Sequence, residues 1–152
     1  IDILKQKLCS FPILTMPDAS KPYIVKTDAS GHAIGGILTQ LDDVGKERVI
    51  SYFSRTLSED EQKPSTYERE FLALTETVTK EFYKFLFNSP FTAFIDHLPI
   101  IYYLENRSDF GSERTIRNRI KLSPYNFKLA HIPGSANISA DILSRINNLK
   151  EK

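Results

Sequence analysis

"KPYIVKTDASGHAIGGILTQ", residues 21–40, decides how the rest of the chain is read. It holds two apolar, β-rich runs, 22–30 and 33–40, separated by Gly31 and His32. A third run, "ERVISYFSR" (47–55), comes after a hairpin-type loop, "LDDVGK" (41–46), that carries Asp and Gly. Gly35 and Gly36 interrupt the second strand, which predicts a bulge or a close backbone approach. Asp28 is the odd residue, an acid where a strand should be burying itself. Two readings stand. Asp-Ala-Ser-Gly is a good turn, because Asp and Ser bond nearby backbone and Gly accepts positive φ. Alternatively, Asp28 is one of several carboxylates gathered from distant parts of the chain to hold metal ions.

Outward from that hairpin, the longest helical signal is "STYEREFLALTETVTKEFYKFLF" (65–87). Ser65 and Glu68 are spaced as a capping box, and positions 67, 71, 74, 78, 82 and 85 form one apolar stripe. Such a helix packs flat on a sheet. "FTAFIDH" (91–97) is a fourth strand, followed by a short helix, "LPIIYYLEN" (98–106), with Pro99 in its first turn. "ERTIRNRIKLS" (113–123) is helical and is stopped by Pro124, and "YNFKLAHIP" (125–133) is a fifth strand. "GSANIS" (134–139) is a turn with a capping signal, and "ADILSRINNL" (140–149) a final helix. At the other end, "IDILKQKLCS" (1–10) has Ile1, Leu4 and Leu8 at helical spacing. Pro12, Pro17 and Pro22 break any regular element between residues 11 and 22. The order predicts an α/β fold, a mixed sheet covered by helices. Residues 1–20 read as a connecting segment, 21–148 as one domain and 149–152 as a polar tail.

The bulk numbers narrow the function. A chain of 152 residues, 41% hydrophobic and 26% charged, suits one soluble domain with a genuine core. Net charge is +1, so any basic footprint for nucleic acid is local. A lone cysteine, Cys9, rules out an intrachain disulfide and a cysteine-based zinc cage, and it suits a reducing compartment. No apolar run approaches the roughly 20 residues that cross a bilayer, so no membrane partner is expected. Because Ile1 stands where an initiator Met would, the chain reads as a piece of a longer polypeptide.

Four acids fall at element ends or on faces where solvation alone is a poor explanation: Asp28, Glu70, Asp96 and Asp141. Each has a bland alternative. Glu70 suits a solvated helix face, Asp96 a turn before Pro99, and Asp141 a helix N-terminus. Jointly they are harder to dismiss. Strands one and four both run into an acid, and adjacent parallel strands would set Asp28 beside Asp96. Like charges a few ångströms apart repel at low dielectric and persist when a cation neutralises them. Oxygen-only ligands favour Mg²⁺ or Mn²⁺. Two such ions about 4 Å apart serve in-line phosphodiester chemistry, one activating water and one stabilising the leaving 3′-oxygen.

"KPYIVKTDASGHAIGGILTQ", "ISYFSRTLSEDEQKPSTYEREFLAL", "FIDHLPI" and "HIPGSANISADILSR" together resemble the ribonuclease H domain of reverse transcriptases, most closely that of gypsy-type LTR retrotransposons. The resemblance covers residues 10–146 in the family's order. It implies a ribonuclease H-like fold, a five-stranded mixed sheet with three antiparallel strands then two parallel ones, flanked by helices. It also implies two-metal hydrolysis of the RNA strand of RNA/DNA hybrids, with Asp28, Glu70, Asp96 and Asp141 as ligands of two Mg²⁺ or Mn²⁺ ions. The implied partners are the hybrid and the reverse transcriptase polymerase domain of the same polyprotein; the implied location is cytoplasmic, within virus-like particles. His131, ten residues before Asp141, is similar in placement to a flexible His of cellular ribonucleases H. It reads either as a proton shuttle or as a polar residue at a strand end. His97 reads as structural. The Trp that relatives commonly carry in the helix before "SPYNF" is absent, as is an inserted basic helix.

Substrate contacts are expected from the loop Ser30, Gly31 and His32, slim beside Asp28. A second source is Arg114, Arg117 and Lys121, on one helical face with Ile116 and Ile120 turned away. "GHAIGG" is no phosphate loop, since it lacks the Walker lysine. Two rivals remain: a catalytically silent structural or nucleic-acid-binding module of the same fold, and an integrase or transposase. The latter use two Asp and a late Glu, which this acid order fits poorly.

Overall fold

The computed structural model describes residues 14–105 and 111–132. Five strands form one mixed sheet: β1 (Tyr23–Ala29), β2 (Ala33–Leu41), β3 (Glu47–Thr56), β4 (Phe91–Ile95) and β5 (Phe127–His131). Their order is β3-β2-β1-β4-β5. β2 is antiparallel to both β1 and β3, while β4 is parallel to both β1 and β5, as the sequence predicts. The helices at 1–10 and 140–149 and the turn at 134–139, Asp141 included, lie outside the described residues.

The apolar stripe on residues 65–87 does pack on the sheet, but not as one α-helix. A short helix α1 (Glu59–Gln62) precedes α2 (Thr66–Glu76); beyond α2 come a π-helical turn (Thr77–Glu81) and α3 (Tyr83–Leu86). Ser65 caps α2 by accepting from the Glu68 amide, whereas the full reciprocal capping box belongs to Ser58 and Glu61 of α1, an element that the sequence did not predict. Thr75, Thr77 and Thr79 each bond the carbonyl four residues back, diverting acceptors from the helix ladder where it widens. The wider turn keeps Val78 and Phe82 in line with Phe71 and Leu74, all four buried in one core with Val25, Leu38 and Phe91. Phe71 is fully buried, which is worth roughly 2–3 kcal/mol.

Gly36 is where this segment meets the sheet. A Cβ there would lie 2.8 Å from Thr77 Cγ2 and 2.9 Å from the Phe53 ring, so the close approach expected at Gly35–Gly36 is real. The bulge is elsewhere, as the β2–β3 register slips between Leu38 and Thr39. Gly36→Ala is expected to cost about 1–3 kcal/mol through this overpacking, read as a Tm several degrees lower in thermal unfolding. Buried Thr77 has no room to withdraw.

The last described helices are α4 (Leu98–Glu105) and α5 (Glu113–Leu122), the latter capped by Ser112. In α5, Ile120 is 59% exposed, and the buried residues are Thr115, Asn118 and Leu122. Spaced i, i+3 and i+7, these three make the stripe that meets α2, so the polar Asn118 faces inward. The described part of the connector is not loose: Thr15 N–H bonds Val49 O at 2.8 Å, and the Gln40 side chain holds the backbone of Asp18 and Lys21.

Candidate active site

Asp28 is not part of the turn. It lies inside β1, paired with Gly35, and the turn is made by Ser30, whose hydroxyl accepts from the amides of His32 and Ala33. Along the parallel ladder Lys26 pairs with Phe94, and two residues further on each strand stand Asp28 and Asp96. Asp96 comes directly after Ile95, the last residue of β4. Glu70 lies in the second turn of α2, the helix that packs across β1. Strand ends and helix thus bring three of the four predicted acids to one corner; the fourth, Asp141, is outside the described residues.

The electrostatics of that corner are those of uncompensated negative charge. Glu70 is 8% exposed. Burial pushes its carboxyl up to about 8, the charges of Asp28 and Asp96 push the same way, and the Ala29 amide and Arg69 oppose them. Asp28 is also raised, by burial first, with Asp96 adding to it; the Ala29 amide, 2.9 Å from Asp28 Oδ1, works against the shift. No lysine or arginine pairs with either acid among the described residues. Nor do any three carboxylate, imidazole or thiol groups there stand close enough together to hold one ion.

His131, at the end of β5, sets Nε2 3.2 Å from Asp96 Oδ1, both side chains about one-third exposed. His97 packs its ring on Tyr67, and burial lowers its pKa, consistent with the structural reading. Ser30, Gly31 and His32 are exposed beside Asp28, and nothing in the fold fills the space that a Gly31 side chain would occupy. Arg114, Arg117 and Lys121 are exposed on α5, over a cleft of about 280 Å³ between α2 and α5. The sequence does not announce that cleft, nor its further polar residues, Asp60, Glu61, Glu68, Arg69 and Asn118.

An all-oxygen donor set, partly desolvated and without a paired lysine or arginine among the described residues, suits a hard divalent cation. Comparison with known proteins gives the family and the fold. Residues 1–93 match the model of a family described as the RNase H-like domain found in reverse transcriptase. Over 144 residues the chain is 38% identical to the retrovirus-related Pol polyprotein from transposon opus of Drosophila melanogaster; the match covers 94% of this chain and 14% of that polyprotein. The chain therefore spans a small part of this relative's length. Among solved structures, RNase H1 from the archaeon Halobacterium salinarum superposes with a TM-score of 0.55 at 14% identity, covering 84% of this chain and 98% of that one. A foamy viral protease-reverse transcriptase in complex with an RNA/DNA hybrid gives a TM-score of 0.58 at 16% identity, covering 80% of this chain and 16% of that one. At such identities the likeness establishes the fold.

Proposed function

The chain belongs to the RNase H-like domains found in reverse transcriptase, and from that premise we propose that it is a divalent-metal-dependent endoribonuclease cutting the RNA strand of RNA/DNA hybrids. It would act within a gypsy-type retrotransposon polyprotein, beside its polymerase domain, in cytoplasmic virus-like particles. The observation that carries the reading is Glu70, buried within electrostatic reach of Asp28 and Asp96 and without a cationic partner among the described residues. Leaving such a group in a helix that could bury an apolar residue destabilises the metal-free fold, which makes sense if the group serves a ligand.

Asp28, Glu70, Asp96 and Asp141 would hold two Mg²⁺ or Mn²⁺ ions. When bound, these supply Lewis acidity to the attacking water and the leaving 3′-oxygen. The chain does the rest. Burial of Glu70 and partial burial of Asp28 limit how far water screens the site, and β1 and the end of β4 hold Asp28 and Asp96 in register. His131 Nε2, beside Asp96 Oδ1, is positioned to take up or release a proton, a task suited to an imidazole near neutral pH. The exposed Ser30–Gly31–His32 loop is slim enough for a sugar-phosphate backbone to pass close to Asp28, where the 2′-hydroxyl distinguishes RNA from DNA.

The test is cleavage of a labelled hybrid in Mg²⁺, Mn²⁺ or EDTA, with single-stranded RNA and duplex DNA as controls. Metal-dependent cutting of the hybrid's RNA alone is expected; no cutting in either metal, with no Mn²⁺ uptake by calorimetry, would favour the silent module. That second reading draws on the lack of a closed three-donor group among the described residues. His131→Ala is expected to slow single-turnover cleavage about 10²-fold while leaving Mn²⁺ affinity near wild type.

A further inference from the structure

Of the acids at the corner, Asp96 is the one that stands outside regular structure. The ladder of β4 with β1 ends at Phe94 and that with β5 ends at Ile95, so Asp96 follows both. On one side its carboxylate meets His131 at 3.2 Å, a contact about one-third exposed. On the other the chain bends at once into α4, where the His97 carbonyl accepts from the Ile100 amide at 3.1 Å. The direction of the Asp96 side chain therefore depends on what holds His97.

His97 is held by α2. Its ring centroid lies 5.5 Å from that of Tyr67, with the planes 63° apart, an edge-on contact. Tyr67 meets Phe71 edge-on at 6.0 Å, and Phe71 meets Tyr103 of α4 in the same way, again at 6.0 Å. These rings tie α2 to the start and to the last turn of α4, and Phe71 at their centre is fully buried. Tyr67 and Glu70 are three residues apart on α2, which makes them neighbours on its surface. The Tyr67–His97 contact thus joins the face of α2 that carries Glu70 to the residue that follows Asp96.

We propose that Tyr67 and His97 form a brace that positions Asp96 against Glu70, so that the two carboxylates present one metal-binding geometry. The inference rests on the two-metal reading. Both are positioning residues: they act through the backbone at residues 96 and 97 and touch neither metal nor hybrid. The brace has a force to resist. Glu70 and Asp96 repel across the corner, and like charges in a poorly solvated place separate as far as the backbone lets them. With the rings uncoupled, the start of α4 yields and Asp96 moves away from Glu70. Metal binding then has to draw it back. Groups that orient metal ligands from behind commonly change metal affinity by about 10- to 100-fold.

The test measures Mn²⁺ affinity of the whole chain by calorimetry, with Tm alongside. Tyr67→Leu should weaken Mn²⁺ binding about 10-fold. Tyr67→Phe keeps the ring and drops only the hydroxyl, so it should bind as the wild type does. His97→Leu should lose a similar factor, and the double substitution no more than either single one, since each removes the same contact. Phe82→Leu, in the same core but beyond the π-helical turn, sets the baseline for a structural role: a lower Tm with Mn²⁺ affinity within about 2-fold of wild type. Hydrogen exchange in EDTA reads the brace without metal. The Ile100 amide should exchange about 10-fold faster in Tyr67→Leu, and as in wild type in Tyr67→Phe, with the amides within β4 unchanged in both. Wild-type Mn²⁺ affinity in Tyr67→Leu, or losses that add in the double substitution, overturns the proposal even if the protein cuts hybrids. If the wild type takes up no Mn²⁺ and cuts nothing, the two-metal reading fails on its own, and the Ile100 amide decides the brace: faster exchange in Tyr67→Leu supports it, and unchanged exchange rejects it.

Discussion

Asp28→Asn is expected to lower the rate of hybrid cleavage by at least about 10³-fold in saturating Mg²⁺, with the fold intact, since a preorganised charge-stabilising group is commonly worth that much. The substitution keeps the size and shape of the side chain. β1 still pairs with β2 through backbone bonds at Gly35, and the Ala29 amide still has an oxygen acceptor at the same place. What disappears is one negative charge from a partly desolvated corner. A metal-free protein should therefore lose nothing in thermal stability, and circular dichroism should superpose on wild type. Rate by gel assay, Mn²⁺ affinity by calorimetry and Tm must move differently: the first two fall, the third holds or rises. Full activity in Asp28→Asn would end the two-metal assignment, whereas loss of fold together with activity would make Asp28 a structural residue. The turn interpretation predicts full activity, because Asn replaces Asp in a turn with little loss.

Which parts of this molecule could be read from its residues depends on the range of the interactions. Strands β1 to β5 were legible because turn residues and apolar β-runs are local signals, and the meeting of Asp28 with Asp96 needed only one assumption about adjacent parallel strands. The π-turn was not, although residues 74, 78 and 82 advance by two successive steps of four. A regular α-helix also tolerates that spacing, and the decision lies with Thr77 wedged against Gly36, a contact between distant segments. The buried face of helix α5 was not legible for a related reason. Ile116 and Ile120 form a plausible apolar edge, but the packing of α2 selects the face bearing Asn118. Least legible was the buried pair of Lys26 and Glu47, 3.4 Å apart across β2, where Thr39 also donates to Glu47 at 3.0 Å. Nothing in the sequence around either residue announces a partner 21 positions away. As for Glu70, its neighbour Phe71 marked the core, yet burial of the acid itself depends on the breadth of the interface with β1. Position along the chain could nominate the residue; only the packed fold gives it an unusual proton affinity.

That affinity makes the second large effect a matter of pH. In the unfolded chain Glu70 titrates near the ordinary 4.5, and in the fold near 8. Between those values the folded state binds a proton that the unfolded state does not, so stability falls as pH rises through the window, and the loss is complete above about 8. At 1.36 kcal/mol per pH unit the total is on the order of 5 kcal/mol, part of it belonging to repulsion shared with Asp28 and Asp96. The metal-free protein should therefore melt on the order of 10 °C lower at pH 8.5 than at pH 5. Glu70→Gln removes the titration and should flatten most of that slope, leaving the smaller contribution of Asp28. Two other groups do not imitate it. Arg55 holds Glu61 down to about 2, which confines its effect to acid, where protonation below its ordinary range costs stability. Burial lowers His97, which favours folding as pH rises and so runs against the Glu70 slope; the difference between mutant and wild type cancels it. Divalent metal supplies the decisive arm. Mg²⁺ binds the ionised carboxylates, so at pH 8.5 it should recover the lost melting temperature in wild type and do much less in Glu70→Gln. A wild-type protein whose melting is indifferent to both pH and Mg²⁺ would mean that these acids do not act as one site, and the nuclease reading would lose its physical basis.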